Sequence, residues 1–245
     1  MLCLFPFEPE CYQHYPVAAD YTGHPMADEI PLQVKAEPAR LALDVETGGT
    51  CVALLPGSRM GELERLSPSI LDAASILSKR YPGIRFLMPA ATEKAGRYLN
   101  TILPAYPDVN CRIFSGRSKE VMAASDLVIC ASGTATLEVM LVNRPMVVCY
   151  RIAATTYQLM KWFNMLKTRF FSLPNILAGE QLVPELLQHE VTGQRIADEA
   201  TRWLDQPDLI DRLRHRFDEL HHILRINAAV TAGNVVLRHI SGRSG

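Results

Sequence analysis

The stretch Asp126-Leu-Val-Ile-Cys-Ala-Ser-Gly-Thr-Ala-Thr-Leu-Glu138 predicts a strand, a tight turn and the start of a helix. Residues 127–130 form a short apolar run, which is typical of a strand buried on both faces. Ser132-Gly133-Thr134 interrupts this run with small residues. Residues 135–142 then carry apolar side chains at helical spacing, which indicates one buried helix face.

A turn of this kind directs free backbone N–H groups and the positive end of a helix dipole at one place, which suits a phosphate group. Glu138 follows one turn into the helix, where its carboxylate could accept hydrogen bonds from a ribose diol. The alternative is an ordinary helix cap at Ser132 or Thr134, with nothing bound. Small-residue turns before helices are common, so the local pattern leaves both interpretations open.

Strands and helices alternate around this stretch. We expect strands at 51–55, 84–88, 109–114, 127–130 and 145–150, with helices at 60–80, 92–103, 118–124, 135–142 and 155–166. This alternation predicts an α/β fold, a Rossmann-like doubly wound parallel sheet that binds ligands at the carboxyl ends of its strands.

The flanking regions are less regular. Before the alternation we expect strands at 2–5 and 18–22, short helices at 8–15 and 38–45, a turn at 23–28 and a linker at 30–37. After it we expect a loop at 172–179 and C-terminal helices at 184–189, 196–205, 209–226 and 228–240.

Composition narrows the class of protein. The chain has 245 residues and is 48% hydrophobic, which allows a sizeable core. A net charge of −1 argues against binding nucleic acid through bulk charge. The six cysteines form no CxxC pair, so we expect buried thiols in a reducing compartment and no zinc site. We expect the adjacent His221 and His222 at the surface.

No apolar run is long enough to span a membrane. Residues 1–8 are apolar but short, and they lack the basic start of a signal peptide. We interpret them as a core strand with no partners upstream, and we therefore expect the chain to be incomplete at its N-terminus. Residues 161–171 mix aromatic and cationic side chains. They fit a core helix with its cations in water better than a helix at a membrane interface.

Two further sites could contact a ligand. Ser58 and Arg59 follow the first strand of the alternation, and a guanidinium suits a diphosphate, unless Arg59 pairs with Glu62 or Glu64. The strand end favours binding. Asn175 offers an amide that both donates and accepts, as a nucleotide or sugar requires. Spacing alone favours the alternative, an asparagine that holds its own turn.

Several motifs together resemble those of lipid-A-disaccharide synthase in order and spacing. They are Phe5-Pro-Phe-Glu8, Gly23-His-Pro25, Leu54-Leu-Pro-Gly-Ser-Arg59, Ala131-Ser-Gly-Thr-Ala-Thr-Leu-Glu138, Leu173-Pro-Asn-Ile-Leu-Ala-Gly179 and Asn227-Ala-Ala229. The resemblance covers essentially the whole chain. It implies the C-terminal half of a GT-B type glycosyltransferase, with the N-terminal domain largely missing.

The resemblance implies an inverting hexosyltransferase of bacterial lipid A (lipopolysaccharide) biosynthesis. It would transfer 2,3-diacylglucosamine from UDP-2,3-diacylglucosamine to 2,3-diacylglucosamine 1-phosphate, giving lipid A disaccharide 1-phosphate and UDP. No metal and no cofactor are expected, because cationic groups and helix dipoles stabilise the leaving diphosphate. The resemblance also implies a cytoplasmic protein, peripherally associated with the inner membrane, and a homodimer.

By resemblance, Arg59, Ser58, Ser132, Gly133, Thr134 and Asn175 would bind the UDP diphosphate, Glu138 the ribose, and His24 would lie at the cleft. The catalytic residue is unknown, because the family's acidic general base is expected in the missing N-terminal domain. We therefore expect this polypeptide alone to turn over little.

We expect three parts in the chain. Residues 1–30 would be the last strand and junction of the N-terminal Rossmann-like domain, 31–206 the UDP-sugar-binding domain, and 207–245 helices that pack toward the N-terminal domain or a partner subunit. The alternatives are a UDP-sugar 2-epimerase-like enzyme, a non-catalytic UDP-sugar-binding half-protein and, resting only on residues 161–171, a membrane adaptor.

Overall fold

The computed structural model describes residues 1–152 and 169–241. The strands are Leu2–Cys3 (β1), Asp20–Tyr21 (β2), Cys51–Leu55 (β3), Arg85–Ala90 (β4), Cys111–Ser115 (β5), Leu127–Ala131 (β6), Met146–Tyr150 (β7) and Glu185–Leu187 (β8). The helices are Glu8–Cys11 (α1), Pro25–Glu29 (α2), Ala36–Ala42 (α3), Met60–Arg80 (α4), Glu93–Ile102 (α5), Ser118–Ala124 (α6), Thr134–Leu141 (α7), Leu173–Ala178 (α8), Gly193–Asp205 (α9), Pro207–Leu224 (α10) and Ala228–Ser241 (α11).

Strands β3 to β8 form one parallel sheet in the order β5-β4-β3-β6-β7-β8. Every residue of β3 and of β6 is buried, as expected for central strands covered on both faces. The predicted Rossmann-like parallel sheet is therefore confirmed. The strand order reverses between β3 and β6, which is the point where folds of this type bind ligands.

The register of β3 and β6 places their carboxyl ends side by side. Leu55 pairs with Cys130, so the turns that follow the two strands begin next to each other. Because α4 follows β3 and α7 follows β6, two helix N-termini approach the same edge of the sheet.

Residues 21–28 lie against the C-terminal helices. Strands β1 and β2 form a separate two-stranded parallel sheet. The Tyr21 hydroxyl donates to the carbonyl of Ile223 at 2.7 Å. The Asp28 carboxylate accepts hydrogen bonds from the N–H groups of Asn227 (3.0 Å) and Ala228 (2.6 Å), and so caps α11.

Gly23 makes this approach possible. Its φ is +82°, and a Cβ there would lie 2.4 Å from Cγ1 of Ile226. Any side chain would therefore meet both an unfavourable backbone conformation and a clash.

Two predicted elements of the C-terminal region are wrong. Residues 173–178 form α8 where a loop was expected, and residues 185–187 form edge strand β8 where a helix was expected. Both segments are too short for their apolar pattern to distinguish helix from strand. Residues 185–187 become a strand because they pair with β7. The 3₁₀ turn Gln188–Glu190 follows β8 directly.

Smaller corrections concern the histidines and the junction. His221 is buried, with its Nε2 2.9 Å from the carbonyl oxygen of Ala27, and not a surface residue as predicted. The predicted turn at 23–28 contains α2, which His24 caps.

The predicted helix at 155–166 lies outside the described residues. None of the helices within 1–152 and 169–241 has the length and hydropathy needed to cross a membrane.

Candidate functional site

A cavity of about 470 Å³ lies at the carboxyl ends of β3 and β6, the edge of the sheet that the fold predicts. It is lined by Leu55, Gly57, Ser58, Arg59, Glu62, Pro89, Ala91, Gly116, Ser118, Ala131, Ser132, Gly133, Thr134, Ala135 and Glu138. Six of the eight sequence-predicted site residues, all except Asn175 and His24, therefore line one cavity.

Arg59 is the last residue before α4, and its side chain is 86% exposed. Its Nη1 lies 3.9 Å from Oε1 of Glu62, so the predicted pair exists. An exposed ion pair at this distance contributes little free energy. The guanidinium can therefore turn to an anion in the cavity at low cost.

Gly57 shapes the turn before Arg59. Its φ is +118°, and a Cβ there would lie 2.6 Å from both Cβ and Oε2 of Glu62. The Oε2 of Glu62 also accepts a hydrogen bond of 3.3 Å from the N–H of Ser58. The turn thus requires glycine, and a carboxylate folds back over it.

The turn between β6 and α7 corrects the predicted role of Ser132. The N–H of Ser132 donates to the carbonyl of Cys149 at 2.9 Å, and its hydroxyl donates to the carbonyl of Phe171 at 2.8 Å. Neither donor is free for a ligand. Across the described parts of the chain, no protein group accepts from the N–H of Gly133, Thr134 or Ala135.

These three amides lie at the N-terminus of α7, where the helix dipole is positive. An anion in the cavity could accept from them. The set of donors is therefore displaced by one residue from the predicted Ser132–Thr134 set, to 133–135.

Glu138 lies in the cavity wall one turn into α7. Burial raises the pKa of its carboxyl above the usual range, and Lys119 acts in the opposite direction. A partly desolvated carboxylate is well suited to accept hydrogen bonds from neutral hydroxyl groups.

Asn175 does not lie in the cavity wall. Its side chain is completely buried, and its oxygen accepts from the N–H groups of Leu182 (2.8 Å) and Val183 (3.0 Å). Its amide nitrogen donates to the carbonyl of Val183 (2.9 Å) and to Glu185 (2.8 Å). The predicted contact with the diphosphate is wrong for this conformation, and the alternative of an asparagine that holds its own turn is correct.

Glu185, on β8, is a partner that the sequence prediction missed. Its carboxylate accepts hydrogen bonds from residues 171, 172 and 175. The sequence did contain a signal for this role. Glu185 is a single acidic residue between the apolar residues Val183 and Leu186, both of which are buried, and a carboxylate in such a place requires hydrogen-bond donors. The wrong helix prediction at 184–189 concealed it.

His24 caps α2, since its Nδ1 accepts from the N–H of Met26 at 3.2 Å. Its ring centroid lies 5.4 Å from that of Phe5. Burial lowers the pKa of the imidazole, while Glu8 and Asp28 act to raise it. His24 lies at the junction between the first residues and the C-terminal helices, apart from the residues that line the cavity.

In the described residues no three His, Cys, Asp or Glu side chains converge as a metal site would require. The thiols of Cys130 and Cys149 are buried within the sheet, and burial raises the pKa of Cys149 to about 12. These cysteines are therefore core residues with little nucleophilic thiolate at neutral pH.

Comparisons with known proteins agree with this geometry. A solved glycosyltransferase from Rickettsia africae ESF-5 has the same fold, with a TM-score of 0.62 at 12% identity, and the match covers 100% of this chain and 64% of that one. The chain is 41% identical to the lipid-A-disaccharide synthase of Alcanivorax borkumensis over 97% of its own length and 62% of the relative's. It is 42% identical to that of Burkholderia pseudomallei over 99% and 62%.

The chain thus spans about 62% of the length of these curated relatives. The model of the family described as lipid-A-disaccharide synthetase matches residues 1–228. That match includes all the motifs that form the cavity, from β3 to α7. The fold, the cavity and the sequence relationship agree, and the chain belongs to the lipid-A-disaccharide synthetase family.

Proposed function

We propose that this chain provides the donor-binding half of a lipid-A-disaccharide synthase. The observation that carries the proposal is the cavity at the switch point, where Arg59, the backbone of residues 133–135 and Glu138 line one space. The amides of 133–135 have no acceptor among the described residues. A guanidinium and helix N-terminal amides suit a diphosphate, and the carboxylate suits a ribose. UDP offers both groups.

In the proposed reaction, a hydroxyl oxygen of 2,3-diacylglucosamine 1-phosphate forms a bond to the anomeric carbon of UDP-2,3-diacylglucosamine. The bond from that carbon to the UDP oxygen breaks, and UDP leaves with the electron pair. The hydroxyl proton passes to a base, and the configuration inverts. Arg59 and the amides of α7 stabilise the negative charge that develops on the diphosphate.

The base is the part of the reaction that we do not assign to this chain. Glu62 and Glu138 are the carboxylates in the cavity wall. In this proposal Glu138 is engaged with the ribose and Glu62 with the turn at Ser58. We therefore propose that the base comes from the N-terminal domain, and that residues 1–245 alone form little disaccharide.

The division of the chain follows the same proposal. Residues 1–30 belong to the junction with the N-terminal domain, 31–206 to the UDP-sugar domain, and 207–245 to helices that return toward the junction. The separate β1–β2 sheet and the capping of α11 by Asp28 support this division. Dimerisation and contact with the inner face of the cytoplasmic membrane are part of the proposed assembly.

The experiment that tests the proposal is calorimetric titration of purified protein with UDP, followed by an assay for disaccharide. We expect saturable UDP binding by the chain alone. We expect disaccharide from UDP-2,3-diacylglucosamine and the 1-phosphate acceptor only after the N-terminal domain of a relative is added. Absence of UDP binding by folded protein would refute the donor site.

Two other functions give different results in the same assay. A UDP-sugar 2-epimerase would convert the UDP-sugar without forming a glycosidic bond and without a lipid acceptor. A non-catalytic UDP-sugar-binding protein would bind UDP but stay inactive with any added N-terminal domain. Membership of the lipid-A-disaccharide synthetase family favours glycosyl transfer over both.

A further inference from the structure

The carboxylate of Glu185 accepts four hydrogen bonds from one short segment. Its Oε1 accepts from the N–H of Ser172 (2.8 Å), the hydroxyl of Ser172 (2.6 Å) and the amide nitrogen of Asn175 (2.8 Å). Its Oε2 accepts from the N–H of Phe171 at 3.0 Å. The carboxylate therefore fixes the backbone that leads into α8.

The same segment holds the turn in the cavity. The carbonyl of Phe171 accepts from the hydroxyl of Ser132 at 2.8 Å. The N–H of Leu173 donates to the hydroxyl of Thr136 at 3.2 Å. That hydroxyl donates in turn to the carbonyl of Gly133 at 2.7 Å. Both ends of the 132–136 turn are thus bonded to residues that lie next to the Glu185 contacts.

We propose that Glu185 is a positioning residue, which holds the backbone amides of 133–135 in place for a diphosphate through residues 171–173. Glu185 is not among the residues that line the cavity. Its effect on a ligand passes through the hydroxyls of Ser132 and Thr136. The inference rests on the proposed function for the identity of the ligand.

The chemistry of the contacts requires a carboxylate at position 185. The two N–H groups and the Asn175 amide nitrogen can only donate in these bonds, and the side-chain oxygen of Asn175 already accepts two other hydrogen bonds. An ionised carboxylate offers two acceptor oxygens and no hydrogen. A glutamine whose oxygen replaces Oε1 would direct its NH₂ at the N–H of Phe171, so two donors would face each other in a partly buried place.

The test is a comparison of Glu185→Gln with the wild type, using UDP and uridine as separate probes. A displaced turn removes contacts to the diphosphate only. We therefore expect UDP binding to weaken about tenfold, whereas uridine binding changes less than about twofold. Glu185→Asp keeps the two acceptor oxygens on a shorter side chain and should restore part of the UDP affinity.

Glu180→Gln is the matched control. Glu180 lies just beyond α8 and pairs with Arg216 at 2.9 Å at the surface. The control removes the same charge from the same region without touching residues 171–173, so its UDP affinity should stay at the wild-type value. Hydrogen exchange provides a readout without ligand. Peptides that cover residues 132–141 should exchange faster in Glu185→Gln and not in the control.

The outcomes separate this inference from the proposed function. Equal UDP affinity and equal exchange in Glu185→Gln and the wild type would overturn the inference and leave the donor site intact. An equal loss of UDP and uridine binding would also overturn it, because that pattern indicates general unfolding. If the wild type binds neither probe, the proposed function fails, and the exchange measurement still decides whether Glu185 holds the turn.

Discussion

The N–H of Ser58 donates a hydrogen bond of 3.3 Å to the carboxylate of Glu62 within the cavity wall. A negative charge thus lies beside the turn where the proposed diphosphate binds. Glu62 stabilises the turn through this bond and lies in the first turn of α4, where the helix dipole favours a negative charge, and it also repels an incoming anion. Glu62 therefore competes with an anionic ligand for this turn.

This relationship predicts that Glu62→Gln strengthens UDP binding. A glutamine oxygen can still accept from Ser58, while the repulsive charge is gone. We expect a gain of roughly threefold to tenfold at low salt, since the repulsion from one charge near a partly exposed site is about 1 kcal/mol. The gain should shrink in high salt because of screening. Calorimetric titration at two salt concentrations measures both effects, and weaker binding would contradict the argument.

Arg59 should be the main side-chain contact to the diphosphate. Arg59→Ala is expected to weaken UDP binding about tenfold or more, and Arg59→Lys to recover only part, because lysine lacks the planar fork. The melting temperature should hardly change, since the side chain is exposed. Arg97→Ala is a suitable control, because it removes an exposed arginine of α5 that pairs with Glu93. If Arg59→Ala and this control bind UDP with equal affinity, Arg59 does not contact the diphosphate.

Replacing Glu138 by glutamine should weaken ligand binding but increase the thermal stability of the fold. Burial raises the pKa of the Glu138 carboxyl. The neutral carboxyl therefore stabilises the folded state, and this stabilisation is complete at pH values below the ordinary glutamate pKa. That stabilisation is lost as the pH rises through the raised pKa. Glu138→Gln should thus raise the melting temperature at pH 7 by roughly 1–3 °C, and by less at pH 4.

The same substitution should weaken binding of both UDP and uridine about fivefold, because the ribose loses a charged acceptor. Thermal scans at the two pH values and titration with both ligands measure these effects. Glu64→Gln on α4, which changes an exposed glutamate, should show neither effect. A loss of UDP binding without loss of uridine binding would argue against the ribose contact.

His221 should make the contact between α2 and α10 sensitive to acid. Burial lowers the pKa of His221, and Arg225 and His222 act in the same direction. The bond to the Ala27 carbonyl and the charge of Asp218 oppose this shift. The unfolded chain therefore binds a proton more readily than the folded one, and stability falls as the pH drops below the ordinary histidine pKa.

His221→Gln should flatten this dependence between pH 7 and pH 5. Urea unfolding at several pH values gives the free energy of unfolding for the variant and for the wild type. His14→Gln, at an exposed position outside α2 and α10, is the control. An unchanged slope in His221→Gln would show that the buried imidazole is not responsible.

The central strands and the cavity could be predicted because their signals are local. The apolar run of β6, the small residues after it and the helical spacing of α7 all lie within residues 127–141. The parallel order of the strands follows from the alternation. Arg59 and Glu138 could therefore be assigned to one edge of the sheet without any structure.

The parts that could not be predicted depend on contacts between distant residues. Edge strand β8 forms because β7 offers it a pairing partner, and Asn175 is buried because residues 182–185 surround its amide. His221 is buried because α2 lies over it, although the two are 194 positions apart. The local sequence pattern does not contain information on such long-range contacts. These contacts decide the structure of short segments whose own pattern is weak.

The capping of α11 by Asp28 has a consequence for the order of folding. The two hydrogen bonds join residues 199 and 200 positions apart, and so close a loop that contains most of the chain. The entropic cost of closing a loop grows with the length of the loop. Contacts between residues far apart in the sequence also form slowly. The central sheet can form before this contact, so the two ends of the chain should join last and separate first.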